Sequence, residues 1–233
     1  MNGIKGIIFD KDGTLFDFKR TWGAWAHACL LRLCDGDVQR ATVAGRAIAF
    51  DFEKSVFAPT SVVIAGTPDE VTQALHGQFP HMSPASLTQL LNEEAEKAPQ
   101  QTVVPLVPLL DELRRRGLAL GVATNDAEKP AQAHLDQAGV SALFDFIAGY
   151  DSGFGGKPQP GQLLAFAEAQ GLDPASCVMV GDSTHDLRAG AAAGMTSVAV
   201  LTGLAQHSDL APFADTVLPD IGHLPAWLDT RTG

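Results

Sequence analysis

The chain has little cysteine, few basic residues and no long apolar run, and each shortage argues against a class of protein. Its three cysteines form no CxxC pair, so a reducing compartment is favoured over a secreted disulfide scaffold. A net charge of −11 argues against nucleic-acid and anionic-membrane partners. No segment reaches the length of a signal-peptide core or a membrane span. A cytoplasmic protein is therefore expected.

The apolar residues that are present indicate a buried parallel sheet. A hydrophobic fraction of 45% in 233 residues is enough for one large domain, or for a main domain with a smaller one. Several segments are apolar throughout rather than alternating, which is typical of strands that helices cover on both faces. These predicted strands are 7–9, 118–123, 177–180 and 196–201, with 145–148 as a shorter addition. Helical patterns cover 108–116, 161–170 and 184–193. The alternation predicts an α/β fold with a doubly wound, Rossmann-like core.

Residues 16–100 have a different character, because they show helical patterns without strand alternation. Thr67-Pro68-Asp69-Glu70 is a capping box with proline at the first helical position, and Ser83-Pro84 starts a further helix. This stretch follows the first predicted strand and precedes the second. We expect a core of residues 1–15 and 101–233 and an inserted helical cap of residues 16–100 over the strand ends.

The first strand ends in two acids within Asp10-Lys11-Asp12-Gly13-Thr14. Two like charges so close are costly to desolvate unless they share a cation or a proton. The next predicted strands end in Thr124-Asn125 and in Asp182, and the carboxyl ends of parallel strands meet at one edge of the sheet. The polar residues at the strand ends are therefore expected to converge on a ligand site.

Two further residues belong with this group. Asp186 follows Asp182 by four positions, and Lys157 is the obvious cation of a glycine-rich loop. Carboxylate oxygens are the ligands of a hard cation such as Mg²⁺. Each residue also has an ordinary interpretation, such as a turn, a solvated lysine or a helix cap. Their joint placement at strand ends favours the site.

In this order the motifs resemble those of the haloacid dehalogenase-like superfamily, in its phosphoglycolate phosphatase-like branch with a helical cap. The resemblance covers nearly the whole chain. The four matching segments are Asp10 to Thr14, Thr124-Asn125, Lys157-Pro158 and Gly181 to Asp186. It implies a Mg²⁺-dependent phosphatase that hydrolyses a small phosphorylated metabolite, phosphoglycolate-like or a sugar phosphate, through an aspartyl-phosphate.

The resemblance also implies roles for single residues. Asp10 is the expected nucleophile, and Asp12 is the expected general acid and then general base. The implied Mg²⁺ ligands are the Asp10 carboxylate, the Asp12 backbone carbonyl and Asp182. The Thr124 hydroxyl, the Asn125 backbone N–H and Lys157 are expected to bind the phosphoryl oxygens, with Asp186 in support.

The acid at position 12 favours phosphate esters, because the dehalogenase and phosphonatase branches lack it. A phosphomutase keeps both acids and so remains an alternative, as does a catalytically idle phosphate-binding module. Phe18 stands where many phosphoglycolate phosphatase-like proteins have serine, which weakens the case for phosphoglycolate. A small phosphate ester is the expected partner, and the chain is expected to be a monomer or homodimer.

Substrate choice is expected to lie in the cap. The candidates for binding a second anionic group are Arg20, Arg46 and Lys54, and those for shaping the pocket are Trp22, Trp25 and His27. The two tryptophans are three residues apart on a predicted helix, a spacing equally typical of a core. Lys11 is expected to point away from Asp10 and Asp12, because neighbouring side chains alternate along a strand.

Overall fold

A six-stranded parallel sheet lies at the centre of the computed structural model, which describes residues 3–231. Residues 1–2 and 232–233 of the predicted core lie outside the described residues. The order of the sheet is β5-β4-β1-β6-β7-β8, and a separate antiparallel hairpin is formed by β2 and β3. The strands are β1 (Gly6–Phe9), β2 (Phe50–Asp51), β3 (Val56–Phe57), β4 (Ala119–Ala123), β5 (Phe146–Ala148), β6 (Cys177–Gly181), β7 (Thr196–Val200) and β8 (Thr216–Leu218).

Helices cover the sheet and form most of the insertion. They are α1 (Phe18–Leu33), α2 (Val38–Gly45), α3 (Pro68–His76), α4 (Pro84–Ala95), α5 (Leu106–Arg115), α6 (Glu128–Gln137), α7 (Gly161–Ala169), α8 (Thr184–Ala193), α9 (His207–Leu210) and α10 (Leu224–Asp229). Short 3-10 helices cover Arg46–Ile48, Val62–Ile64, Ser141–Leu143, Pro174–Ser176 and Ile221–His223. The predicted α/β core with an inserted helical region is confirmed. The patterns did not predict β8, α6 or the hairpin, whose strands are only two residues long.

The first strand occupies the middle of the sheet. β1 pairs in parallel with β4 on one side and with β6 on the other, so that Phe9 is opposite both Val122 and Val180. Residues 7–9 have no exposed surface, as the continuous apolar run predicts. The carboxyl ends of β1, β4 and β6 therefore adjoin one another at one edge of the sheet.

The inserted region, residues 16–100, has a hydrophobic core of its own. That core runs from Phe18 to Ala98 and is distinct from the clusters around the sheet. The chain enters and leaves the region side by side: the Asp17 N–H donates to the Gln101 carbonyl at 2.8 Å, and the Val103 N–H donates to the Leu15 carbonyl at 3.0 Å. These two adjacent chain segments join the inserted region to the sheet-containing part.

Cys29, Cys34 and Cys177 are buried free thiols. Within residues 3–231, the helices are all too short or too polar to cross a membrane.

Candidate active site

Three buried carboxylates meet at the carboxyl edge of the sheet. Asp10 follows β1, Asp182 follows β6, and Asp186 lies in the first turn of α8. One carboxylate oxygen from each lies within 4.8 Å of the others. All three side chains are buried, Asp186 most completely. Parallel strands and the helix after β6 thus bring together acids that are far apart in sequence.

Lys157 lies between two of these acids. Its loop connects β5 to α7, and its Nζ donates to Asp10 Oδ1 at 2.5 Å, to Asp186 Oδ1 at 2.7 Å and to the Ala123 carbonyl at 2.8 Å. Burial disfavours the ammonium charge, but the two carboxylates outweigh it and raise the pKa of Lys157. Lys157 is therefore a fixed cation in direct contact with the predicted nucleophile.

The donor set of this cluster suits a divalent cation. Burial, together with the neighbouring acids, raises the pKa values of Asp10 and Asp182, so the folded protein favours a further positive charge here. The side-chain donors of the cluster are all carboxylate oxygens, which are hard ligands. The structure brings together the carboxylates of Asp10 and Asp182, as predicted, and adds that of Asp186. The metal role of the Asp12 backbone carbonyl stays a prediction.

Two glycines allow the chain to approach Asp182 closely. A Cβ added to Gly13, which has φ +82, would lie 2.4 Å from Asp182 Oδ2, and one added to Gly203 would lie 1.6 Å from the same atom. Gly203 follows β7, and the preceding Thr202 hydroxyl donates to the Gly13 carbonyl at 2.5 Å. Thr202-Gly203 directly follows the predicted strand 196–201, but no sequence pattern connects it with the site.

Lys11 overturns one expectation. Its side chain has no exposed surface, and its Nζ lies 2.7 Å from Asp12 Oδ2, 3.3 Å from Asp126 Oδ2 and 2.9 Å from His134 Nδ1. The prediction that Lys11 points away from Asp12 is wrong, because β1 ends at Phe9 and strand alternation no longer applies. Asp12 Oδ1, in contrast, has no hydrogen-bond partner among the described residues.

His134 links Lys11 to the inserted region. Its Nε2 donates to the Ala95 carbonyl at 2.6 Å, which leaves Nδ1 to accept from Lys11. Burial, reinforced by the Lys11 charge, lowers the pKa of His134 to about 4, so the ring is neutral near pH 7. Sequence reasoning missed both His134 and Asp126. Asp126 follows Thr124-Asn125 directly and could have been found, whereas nothing local marks His134.

Thr124 and Asn125 lie where the sheet predicts them, after β4. The buried Thr124 hydroxyl accepts from the Asp126 N–H at 3.1 Å. The Asn125 side chain donates to the Lys157 carbonyl at 2.9 Å and accepts from the Lys157 N–H at 2.7 Å. It also donates to the Ala65 carbonyl of the inserted region at 2.8 Å. Asn125 therefore fixes the Lys157 loop and contacts the insertion at the same time.

Asp186 both caps a helix and pairs with Lys157. Its Oδ2 accepts from the Ser183 N–H at 3.0 Å and from the Ser183 hydroxyl at 2.7 Å, an arrangement that caps α8. Its Oδ1 is paired with Lys157. The helix cap thus holds the carboxylate in position beside the cation.

A cavity lies between these polar groups and the inserted region. The predicted site residues Asp10, Asp12, Thr124, Asn125, Lys157, Asp182 and Asp186 all line it. Trp22 and Trp25 also line the cavity and belong to the core of the inserted region, so each is both a cavity-lining and a core residue. The other cap candidates lie elsewhere in contacts of their own: Arg20 with Gln101, Lys54 with Asp51, and His27 stacked on Phe52. Arg46 is also outside the cavity lining.

Comparison with known proteins identifies the family of this chain. Residues 4–194 match the sequence model of the haloacid dehalogenase-like hydrolases. The chain belongs to this family. A phosphoglycolate phosphatase of Xylella fastidiosa is 30% identical over 211 residues, which cover 87% of this chain and 82% of the relative. Pyrophosphatase PpaX of Bacillus velezensis is 27% identical over 197 residues, which cover 84% and 83%.

A solved structure has the same fold. The crystal structure of a predicted phosphoglycolate phosphatase from Haemophilus somnus matches with a TM-score of 0.73 at 20% identity, over 97% of this chain and 99% of that one. The prediction of a phosphatase of this family is confirmed. The relatives carry different substrate names, so the family does not fix the substrate.

Proposed function

We propose that the protein is a Mg²⁺-dependent phosphatase that hydrolyses a small phosphate monoester through an aspartyl-phosphate on Asp10. The main support is the buried group of Asp10, Asp182 and Asp186 in contact with Lys157. Asp10, Asp182 and the Asp12 backbone carbonyl would hold the Mg²⁺. When bound, the ion supplies positive charge that offsets the repulsion between a carboxylate and a phosphate dianion.

In the first step the Asp10 carboxylate attacks phosphorus, and the bond from phosphorus to the alcohol oxygen breaks. Asp12 donates its proton to that oxygen, so that the neutral alcohol leaves. The contacts of Asp12 support this role, because Lys11 holds Oδ2 while Oδ1 has no partner within the described structure.

In the second step water attacks the phosphorus of the aspartyl-phosphate, Asp12 takes a proton from that water, and inorganic phosphate leaves Asp10. Lys157, the Thr124 hydroxyl and the Asn125 backbone N–H hold the phosphoryl oxygens through both steps. Asp186 supports Lys157 through its 2.7 Å ion pair.

We further propose that residues 16–100 act as the substrate-specificity cap of a catalytic core made by residues 1–15 and 101–233. The cavity supports this division, because the inserted region forms the wall opposite the carboxylates. Such a wall excludes water from the reacting groups and contacts the alcohol part of the ester.

Asp10→Asn tests the mechanism directly. The substitution keeps the size of the side chain but removes the anionic nucleophile, so we expect hydrolysis of p-nitrophenyl phosphate to fall by at least about 1,000-fold. Removing Mg²⁺ with a chelator should abolish the wild-type activity, and adding the ion should restore it. Asp111→Asn, at an exposed acid of α5, is the matched control and should retain full activity.

An assay with a sugar phosphate separates the alternatives, because a sugar has a second hydroxyl to which a mutase can move the phosphoryl group. A phosphatase releases one inorganic phosphate for each ester consumed, whereas a mutase returns an isomeric ester with little free phosphate. A catalytically idle binding module neither hydrolyses nor isomerises the ester. Activity that survives Asp10→Asn, or that needs no divalent ion, would contradict the proposal.

A further inference from the structure

The cavity wall opposite the carboxylates is almost entirely apolar. α1 contributes aromatic rings, and the 3-10 helix Val62–Ile64 and α4 contribute aliphatic side chains. The principal members of this apolar wall are Phe18, Trp22, Trp25, Val63, Ile64 and Leu91. The rings of Trp22 and Trp25 pack edge to face with their centroids 5.1 Å apart, which fixes their position.

Positive charge lies only on the core side of the cavity. Among the described residues, the inserted region contributes no lysine, arginine or histidine to the lining. Its polar groups there are the Asn92 side chain and the indole N–H groups of Trp22 and Trp25. Trp22 Nε1 has no hydrogen-bond partner within the described structure, and Trp25 Nε1 donates to the Leu91 carbonyl at 3.0 Å.

Lys157 is committed to Asp10 and Asp186, and His185, in the first turn of α8, is the other basic side chain of the lining and lies on the core side. A second anionic group on the substrate would thus lie against the apolar wall without a cation.

We infer that the alcohol part of the substrate is uncharged and mainly apolar, so that the enzyme discriminates against phosphorylated hydroxy acids such as phosphoglycolate. The inference rests on the proposed phosphatase function and adds the substrate class. An apolar group gains free energy by leaving water for this wall. A carboxylate in the same place loses its hydration and finds no compensating charge.

A matched pair of substrates tests the inference. Benzyl phosphate and 4-carboxybenzyl phosphate carry the same reacting ester and differ in one remote carboxylate. With the wild-type protein and Mg²⁺, we expect kcat/KM for benzyl phosphate to exceed that for the acid by about 100-fold. Phosphoglycolate should be as poor a substrate as the acid.

A positive charge placed on the apolar wall should weaken the preference for benzyl phosphate. Asn92→Lys introduces an ammonium at a half-buried lining position of α4, and we expect the ratio of the two kcat/KM values to fall by about tenfold. Gln89→Lys adds the same charge to an exposed position of α4 outside this cavity, and should leave the ratio unchanged. The substrate comparison on the wild-type protein needs no variant, so misfolding of Asn92→Lys cannot obscure it.

The outcomes distinguish the two proposals. Hydrolysis of 4-carboxybenzyl phosphate or phosphoglycolate at a rate equal to or above that of benzyl phosphate overturns the inference but leaves the phosphatase function intact. No Mg²⁺-dependent hydrolysis of any of the three esters or of p-nitrophenyl phosphate overturns the proposed function, and the inference with it.

Discussion

Lys11 is a buried ammonium whose surroundings keep it charged. Burial disfavours the charge, but the Asp12 and Asp126 carboxylates outweigh it and raise the pKa of Lys11. The ammonium also lies 2.9 Å from His134 Nδ1, so two carboxylates and a ring nitrogen surround it. We therefore expect Lys11 to position Asp12 rather than to contact substrate.

Lys11→Met should separate turnover from substrate binding. The variant leaves Asp12 and Asp126 without their shared cation, which should lower the free energy of unfolding by about 3–5 kcal/mol. Asp12 loses its fixed orientation, so kcat should fall by about 100-fold, while KM changes much less. Steady-state kinetics and urea unfolding measure the two effects.

Lys19→Met is the control for this prediction, because it removes an exposed lysine from α1. It should change neither kcat nor stability appreciably. A Lys11→Met protein that keeps the wild-type kcat would show that Asp12 does not depend on Lys11.

The sequence correctly predicted which residues come together where a polar residue follows a predicted strand. Asp10, Thr124 and Asp182 each directly follow an apolar run, and their convergence follows from a parallel sheet alone. The contact of Lys11 with His134 joins residues 123 positions apart through packing, and no local pattern encodes it. Whether the basic residues of the insertion line the cavity could not be predicted for the same reason, and among the described residues none does.

At the level of elements, the loop after β7 is part of the site although it contributes no charged group. Gly203 lies against the Asp182 carboxylate, and Thr202 is bonded to the backbone of Gly13. The loop therefore limits where Asp182 can lie. Strand–helix alternation predicted the end of this strand, but the closeness of a backbone to a carboxylate depends on loop geometry that the sequence pattern does not specify.

Gly203→Ala should disturb the carboxylate group without unfolding the sheet. A methyl group 1.6 Å from Asp182 Oδ2 must displace either the carboxylate or the loop. Because a misplacement of about 1 Å can cost 100-fold in rate, we expect a loss of about that size in kcat/KM and a higher Mg²⁺ requirement. Initial rates over a Mg²⁺ titration provide the measurement.

Gly77→Ala is the matched substitution for Gly203→Ala. Gly77 has φ −61, and no described atom comes within 4 Å of the position of its added Cβ, so activity should be unchanged. Equal activity of Gly203→Ala and the wild type would show that the loop does not constrain Asp182.

On the scale of the whole molecule, polar contacts connect the inserted region to the sheet-containing part. The Tyr150 hydroxyl donates to Asp69 at 3.1 Å, Lys129 pairs with Glu96 at 2.8 Å, and His134 donates to the Ala95 carbonyl. The two parts have separate hydrophobic cores, and these contacts are among those that join them. Of the three, the His134 contact is the most deeply buried and also reaches the Lys11–Asp12 pair.

Acid should weaken the protein partly through His134. Its pKa is 6.5 when unfolded and about 4 when folded, because burial and the Lys11 charge disfavour the imidazolium more than Asp12 favours it. The unfolded state therefore binds the proton first as the pH falls. Neutral His134 therefore contributes fully to the free energy of unfolding above pH 6.5. This contribution falls progressively as the pH decreases to 4, by about 3 kcal/mol in all.

Unfolding by urea between pH 7.5 and 4.5 tests this, with His134→Gln compared against the wild type. The raised pKa values of Asp10 and Asp182 have the opposite effect, because they make the free energy of unfolding rise as the pH falls. This effect is common to both proteins. The difference between the two proteins therefore isolates His134. The variant should be the less stable at pH 7.5, and the gap should narrow as the pH falls below 6.5. The exposed His207→Gln control should follow the wild-type curve, whereas a constant gap for His134→Gln would mean that the buried imidazole does not set the acid sensitivity.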